Sequence, residues 1–158
     1  MARTVGLFVV LTLYASIGLM AAAGSIAITQ RLLRPRWEQV FYAAFLIPIA
    51  AFYLAFAAYF GADAAWQAEG SAVVVFAALA LVGTRVPFAL VAGYLLHAAW
   101  DVLHDLQAHG ILAVFEPGRA TPTPLAYGVF CAVYDVCMAA YFVTRRRAWA
   151  ADRPEPTR

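Results

Sequence analysis

Lysine is absent from this chain, and cysteine, histidine and charge are scarce: there are 2 cysteines and 3 histidines, and charged residues make up 13% of 158 positions. Because all 11 basic residues are arginine, no Schiff base to retinal or to a carbonyl substrate can form. Three histidines are too few for the eight-histidine di-iron chemistry of membrane enzymes. Cys131 and Cys137 lie on one predicted helix and point to different sides, so they cannot form a disulfide there. A C-x-x-C pair is also missing, which excludes thioredoxin-like disulfide exchange.

Hydrocarbon side chains take the place of the missing polar ones. Hydrophobic residues make up 65% of the chain, whereas soluble domains contain roughly 45–50% hydrophobic and 25% charged residues. The net charge of +2 comes from arginines that flank apolar runs without forming an extended basic surface, so we expect no nucleic-acid partner. The composition predicts an integral protein of the plasma (inner) membrane that contacts membrane lipid.

Apolar runs predict an all-α fold, a polytopic transmembrane bundle of five helices. A hydrocarbon core of about 30 Å needs about 20 helical residues. The predicted spans form a single transmembrane domain over residues 1–148, and they are Val5–Ile28, Val40–Phe60, Ser71–Val86, Phe88–Leu106 and Pro124–Thr144. The third span is short and is predicted to be tilted or partly re-entrant. The polar, proline-rich tail, residues 149–158, is predicted to be disordered.

Arginine clusters predict the orientation of the bundle. Arg31, Arg34 and Arg36 follow the first helix, and residues 145–147, all arginine, follow the fifth. Under the positive-inside rule both clusters stay cytoplasmic, which an odd number of helices satisfies. The N-terminus is therefore expected outside and the C-terminus in the cytoplasm, with the loop GADAAWQAEG outside as well. Arg3, near the N-terminus that is expected outside, opposes this arrangement.

A polar stripe interrupts the fourth helix within the segment GYLLHAAWDVLHDLQAHG. At 100° per residue, His97, Asp101, His104 and Asp105 fall within about 100° of arc. Because an ionisable group at bilayer depth costs about 2.5–3.5 kcal/mol or more, such a stripe must face protein, water or a metal ion rather than lipid. His97 lies about 14 Å from the start of its helix at 1.5 Å per residue, near the midplane.

The fifth helix carries another acid at a similar depth. Asp135 is about 16 Å from the outer end of its helix, close to the predicted level of His97. We therefore expect the two side chains to meet, directly or through a metal or water. Tyr134, the neighbouring residue, is predicted to act as a proton donor. The predicted catalytic residues are Asp101, Asp135 and Tyr134.

Candidate ligands for a divalent metal, zinc, iron or manganese, are His97, Asp101, His104, Asp105 and Asp135. His97 and His104 are about 10.5 Å apart in rise and should not bind one ion. Two arrangements remain. Either one metal uses His97, Asp101 and Asp135, or Asp101 bridges two metals held by His97 on one side and by His104 with Asp105 on the other.

Other readings of these residues stay open. The stripe also fits a hydrogen-bonded structural network between helices, or a path for a proton or ligand. His109 is expected to cap its helix. Gly18, Ala22 and Ser25 predict close helix packing, within the chain or at the seam of a homo-oligomer. The outer loop GILAVFEPGRATPTP is predicted to form a lid over the site.

The box HAAWDVLH resembles the H-x3-D-x2-H box in a late helix of small uncharacterised bacterial integral membrane proteins. The resemblance covers about nine residues and the helical layout. It implies a membrane helix bundle and no particular activity.

Two functions remain in competition, with a structural or assembly role behind both. As an enzyme, the chain would use the metal for hydrolysis or oxidation of a lipid-like or other hydrophobic small-molecule substrate that enters from the outer leaflet. As a carrier, it would pass a proton, metal ion or small solute across the membrane. The residues Phe88 to Leu96 offer only Tyr94 as a polar group, which favours the enzyme.

Overall fold

Five α-helices make up the computed structural model, which describes residues 2–116 and 118–152. The helices are α1 (Ala2–Leu32), α2 (Pro35–Phe60), α3 (Trp66–Gly83), α4 (Pro87–Ala108) and α5 (Leu125–Ala151), with a single 3-10 turn (Asp63–Ala65) before α3. The prediction of an all-α bundle of five helices is confirmed. No strand occurs in the part of the chain that the structure describes.

Proline and glycine set several of the helix ends. Pro35 and Pro87 stand in the first turns of α2 and α4, where a missing N–H costs no hydrogen bond. Gly61 ends α2 in the left-handed conformation, with φ of 64°, and its N–H points to the carbonyls of Ala57 and Ala58. A residue without Cβ adopts this conformation at little cost.

The third helix differs from its prediction. It begins at Trp66 rather than at Ser71 and ends at Gly83, because the first turn contains Trp66, Gln67 and Glu69, polar or amphipathic residues that do not look apolar in sequence. Together with the 3-10 turn, the segment Asp63–Gly83 has 21 residues. It is therefore long and apolar enough to cross a bilayer, so the predicted short length is wrong, and the tilt or re-entry predicted for this span stays a prediction.

The fifth helix also extends further than predicted. It continues to Ala151, and Trp149 is fully buried, so the disordered tail does not begin at residue 149. The remainder of that predicted tail, residues 153–158, lies outside the described residues.

Four helical segments are long and apolar enough to cross a membrane: Val5–Leu32, Pro35–Phe60, Asp63–Gly83 and Leu125–Ala151. Large hydrophobic side chains on their outer faces are exposed, for example Phe8, Leu81 and Val74, as expected of surfaces that face lipid. α4 is not one of these four segments, because the polar stripe lowers its hydropathy. It packs against α3 and α5. The chain is consistent with an integral membrane protein.

Small residues allow the helices to approach closely. A Cβ added at Gly18 would lie 2.6 Å from the carbonyl oxygen of Phe130, so α1 contacts the backbone of α5 there. A Cβ at Gly93 would lie 2.6 Å from the Leu46 side chain, which places α4 against α2. The small residues of α1 therefore pack within one chain, where close backbone approach supplies van der Waals contact.

One end of the bundle, the arginine-rich end, is fastened by Glu38. This end collects Arg31, Arg34, Arg36, Arg85 and residues 145–147. The Glu38 side chain is fully buried and accepts hydrogen bonds from Arg145 Nε at 2.8 Å, Trp149 Nε1 at 2.8 Å and the Tyr141 hydroxyl. The carboxylate thus ties the start of α2 to the end of α5.

Replacement of Glu38 by alanine should destabilise the bundle by about 3 kcal/mol, because it leaves the Arg145 guanidinium and the Trp149 N–H without an acceptor. The measurement is the free energy of unfolding in detergent. Glu116→Ala is the matched control: Glu116 pairs with Arg119 through side chains that are more than half exposed, and its loss should cost about 0–1 kcal/mol. Equal effects of the two substitutions would contradict this account of Glu38.

Candidate metal centre

The polar stripe of α4 is turned into the bundle. His97, Asp101 and His104 are buried, as is Tyr94 one turn before His97. Residues three and four positions apart share a face of an α-helix, and the neighbouring helices α2, α3 and α5 cover this one. The expectation that the stripe avoids lipid is met for these side chains.

His97 meets one carboxylate from its own helix and one from α5. Its Nδ1 atom lies 2.7 Å from Asp135 Oδ2 and 3.3 Å from Asp101 Oδ2. A neutral imidazole carries one N–H, so Nδ1 cannot donate to both oxygens at once. The nearer contact, to Asp135, has hydrogen-bond geometry. The predicted meeting of His97 and Asp135 is present in the structure.

Tyr53 of α2 completes this layer. Its hydroxyl donates a hydrogen bond of 2.6 Å to Asp101 Oδ1, which fixes the orientation of the Asp101 carboxylate. Three buried atoms in the layer have no hydrogen-bond partner: His97 Nε2, Asp101 Oδ2 and Asp135 Oδ1. Buried polar atoms nearly always have a hydrogen-bond partner. The two carboxylate oxygens and the ring nitrogen of this layer are therefore available to bind a further ligand.

The spacing of the three side chains fits one metal ion. His97, Asp101 and Asp135 each offer a ligand atom, and these atoms lie within 4.8 Å of one another. Metal–ligand bonds of about 2.0–2.1 Å place neighbouring ligands about 3.3 Å apart in a tetrahedron and about 2.9 Å apart in an octahedron. The 4.8 Å limit on the three ligand atoms admits such spacings, whereas the 2.7 Å from His97 Nδ1 to Asp135 Oδ2 is the length of their hydrogen bond. The geometry matches the single-metal arrangement of the two that the sequence left open.

His104 does not belong to this group. Its Nε2 lies 3.0 Å from Glu69 Oε1, and its Nδ1 lies 3.0 Å from the carbonyl oxygen of Trp100. Both ring nitrogens are therefore engaged away from Asp101. The prediction that His104 serves as a metal ligand is wrong for this geometry, because a buried acid from α3 binds it instead.

Glu69 forms a second buried polar cluster with His104. Besides His104, it accepts hydrogen bonds from Trp100 Nε1 at 3.3 Å and from the Thr121 amide at 3.2 Å. Because the Trp100 carbonyl only accepts, His104 Nδ1 must carry a proton there. Glu69 thus links α3 to α4 and to the segment that precedes α5.

Asp105 also turns away from the metal centre. Its carboxylate lies over Gly128 of α5, where an added Cβ would be 2.6 Å from Asp105 Oδ1. Its position on the helix is rotated from that of His97 by about 80°, which aims it at the seam between α4 and α5. Asp105 is therefore not a ligand of this group, and the two-metal arrangement bridged by Asp101 lacks the second half of its ligands.

Tyr134 and His109 have other contacts. The Tyr134 hydroxyl lies 3.3 Å from the Ser25 hydroxyl of α1, so the proton donor predicted for the site is replaced by Tyr53. His109 is exposed, and its Nδ1 lies 2.7 Å from the Asp105 carbonyl oxygen. The expected capping role of His109 agrees with this contact.

Tyr53 and Glu69 are the two residues that sequence reasoning missed. Tyr53 lies within the almost uniformly apolar predicted span Val40–Phe60, where one tyrosine does not stand out, although it is buried in the structure as Tyr42 and Leu46 are. Glu69 was placed in an external loop, although it shares a helical face with Phe76 seven residues later. Extending that face one turn back would have found the buried acid.

The segment between α4 and α5 covers the Glu69 cluster. The Phe115 ring packs against His104, with ring centres 4.8 Å apart, and against Trp100 at 5.3 Å. Gln107 holds this segment through its side-chain oxygen, which accepts hydrogen bonds from the amides of Val114 and Phe115. The segment thus lies over His104 and Trp100, and its action as a lid over the site stays a prediction.

Replacement of Glu69 by alanine should release the covering segment at its far end, because the Thr121 amide loses its acceptor. Hydrogen–deuterium exchange should become about tenfold faster or more at Thr121. Gln107→Ala is the comparison variant, and it should speed exchange at Val114 and Phe115 while Thr121 stays protected. Unchanged exchange at Thr121 in the Glu69 variant would refute the contact.

Comparison with known proteins identifies a family, but the function of that family is unknown. A model for a family of unknown function, DUF6010, matches residues 13–148. The match spans most of the chain, including the metal centre and the Glu69 cluster, and the chain therefore belongs to this family. No curated protein matches, and no solved structure matches.

Proposed function

We propose that this member of the family is a membrane-embedded, metal-dependent enzyme that hydrolyses a lipid-like or other hydrophobic substrate. One observation carries the proposal: His97, Asp101 and Asp135 converge from two helices with ligand atoms within 4.8 Å of one another, and each retains a buried atom without a partner. Structural metal sites are usually closed by four protein ligands, whereas catalytic sites leave positions for water and substrate. Three protein ligands fit the second kind.

The donor set favours a divalent transition metal. Two carboxylates and one imidazole form a mixed oxygen and nitrogen set, which suits zinc, iron or manganese. Without a cation, two ionised carboxylates buried side by side would repel each other at high cost. A divalent ion would balance both charges, and the Tyr53 hydrogen bond would hold Asp101 in place as a ligand.

Hydrolysis is favoured over oxidation because it needs only water as a second reactant. A metal ion bound by these residues would lower the pKa of a coordinated water and so supply a nucleophile. Asp135 Oδ1, which has no partner, is the acid–base group beside it, and Asp101 is the ligand oriented by Tyr53. Oxidation would require a redox-active metal and an oxidant in addition.

The orientation follows from the arginine-rich end. By the positive-inside rule, we place this end in the cytoplasm of a cell with the chain in its inner (plasma) membrane, and the N-terminus outside. The Glu69 cluster and its covering segment then face outward, so a hydrophobic substrate reaches the metal centre from the outer leaflet. A phosphatase reporter fused to the end of α5 would be active only if this orientation is reversed.

Metal content is the first test. Wild-type protein purified in detergent without chelator should hold about one equivalent of zinc, iron or manganese, and Asp101→Asn should hold about tenfold less or lower still, because the amide lacks the charge that binds a cation. Elemental analysis measures both. Asp63→Asn provides the control, since Asp63 is an exposed carboxylate outside the site.

His97→Ala and Asp135→Asn should lower the metal content in the same way, whereas His109→Ala should not. Monodispersity of each variant checks its folding. If folded wild-type protein contains no metal and takes up none of the three at micromolar concentration, the proposal fails, and the layer is then a proton-bearing or structural network.

Turnover is the second test. Metal-loaded protein in vesicles of phosphatidylethanolamine and phosphatidylglycerol, incubated in water enriched in oxygen-18, should place the label in hydrolysed lipid products detected by mass spectrometry. Asp135→Asn should reduce labelling by about 100-fold or more, because it removes a metal ligand together with the acid–base group, and general acid–base groups alone contribute about 10²–10⁴ in rate. The Asp63→Asn variant should label as the wild type does. Unlabelled lipid in the presence of bound metal would argue against hydrolysis of these lipids.

A carrier is the second candidate, and one observation favours it. A separate set of polar contacts lies between His97 and the arginine-rich end: the Tyr94 hydroxyl donates to the Tyr42 carbonyl at 2.9 Å, and the Tyr42 hydroxyl lies 2.7 Å from Thr29 Oγ1. Thr29 in turn reaches Glu38 at 3.5 Å. Proton or zinc flux into sealed vesicles that depends on Asp101, without labelled lipid products, would select the carrier.

A further inference from the structure

A groove on the other side of α4, separate from the metal centre, lies between α1, α4 and α5. Its volume is about 370 Å³, and its walls are almost entirely apolar, with Leu7 and Leu11 from α1, Leu106 from α4 and Val129 from α5 among them. Ligand sites commonly have volumes of about 300–1,000 Å³. The groove is therefore large enough for part of a small amphiphile.

One carboxylate stands in this apolar groove. Asp105 lines it, and Asp105 Oδ1 is a buried oxygen without a hydrogen-bond partner. Gly128 makes the position available, since a Cβ there would be 2.6 Å from that oxygen. Asp105 is half-buried and shares the groove with His109, but burial of its Oδ1 atom without a donor is costly. A positively charged group that enters the groove from outside would offset this cost.

The direction of the groove suits a molecule with a head and a tail. One end of the groove lies at Asp105 and His109, at the end of α4 that is away from the arginine-rich end. The other end lies at Val133, which is about 7 Å further along α5 than Gly128 at 1.5 Å per residue. A second hollow of about 510 Å³ also touches Leu11 and Val133 and continues along α1 to Leu19. An apolar path therefore leads from the carboxylate toward the middle of the bundle.

We propose that this groove binds a single-chain amphiphilic amine, with the protonated amine on Asp105 and the hydrocarbon tail along α1 and α5. Charge complementarity selects an amine over an alcohol or a fatty acid, because the alcohol brings no charge and the carboxylate of the acid would be repelled. The apolar walls select the tail. The site is distinct from the metal centre and does not depend on the proposed hydrolysis.

Binding of radiolabelled dodecylamine to the protein in phosphatidylcholine nanodiscs tests the proposal. Wild type should bind saturably, and dodecanol should compete about tenfold less well than unlabelled dodecylamine or worse. Asp105→Asn should weaken binding about tenfold or more, while the exposed Asp63→Asn should leave it unchanged. Protein stripped of metal by a chelator should bind as well as untreated protein, which separates this result from that of the metal test.

A second variant keeps the test informative if Asp105→Asn fails to fold. Ala132 lines the groove, and Ala132→Leu should weaken binding by filling it while the carboxylate stays. Equal competition by dodecanol, or unchanged affinity in both variants, would overturn the proposal. Displacement of dodecylamine by phosphatidylethanolamine at equal concentration would overturn the choice of a single-chain amine and assign the groove to a membrane lipid.

A further experiment asks whether Arg3, a cation of the chain itself, already pairs with Asp105. Arg3 stands one turn before Leu7 in α1, so a double-mutant cycle of Arg3→Ala and Asp105→Asn measures whether the two are coupled in stability. Additive effects support an external partner for Asp105. Strong coupling would mean that the arginine already neutralises the carboxylate, and the proposal would fall.

Discussion

Burial of polar atoms away from water costs free energy, and this constraint determines how the helices of this protein pack. The contact between His97 and Asp135, deep in the bundle, offsets that cost for both side chains. Both side chains are fully buried, and a 2.7 Å contact joins them across α4 and α5. Neither helix can rotate about its axis without leaving a polar group in hydrocarbon, where it is expensive. The register of α4 against α5 is therefore tied to one polar contact.

Polar groups elsewhere in the bundle obey the same constraint in separate layers. Glu38 is satisfied at the arginine-rich end by α5, and Glu69 is satisfied at the other end by α4 and by the amide of Thr121. Glu38 thus joins α2 to α5, and Glu69 joins α3 to the next helix, α4, and to the segment before α5. The layer of His97, Asp101, Asp135 and Tyr53 differs from these two, because three of its buried atoms have no hydrogen-bond partner, which is the pattern expected of a ligand-binding site rather than of a structural contact.

From the sequence alone, the depth of a side chain along its helix is predicted well, whereas the rotation of each helix toward its neighbours is predicted poorly. Counting 1.5 Å per residue along two helices was sufficient to bring His97 and Asp135 to one level, and apolar runs were sufficient to count five helices. Which neighbour each side chain meets depends on how the helices turn toward one another. The packing between helices brings the hydroxyl of Tyr53, rather than that of Tyr134, to Asp101. It also pairs His104 with Glu69, so that His104 does not join the layer of His97. The helical period of a single segment carries no information about such contacts between helices.

The attachment of α1 has a consequence for how the chain is made. α1 lies against α5, with Gly18 on the backbone at Phe130, so α1 packs on a helix that is synthesised later. Roughly 90 residues separate the two helices, and at about 5–20 residues per second their synthesis takes on the order of 5–20 s. Throughout that interval the face of α1 that packs on α5 has no partner, and this contact forms only after α5 has been synthesised.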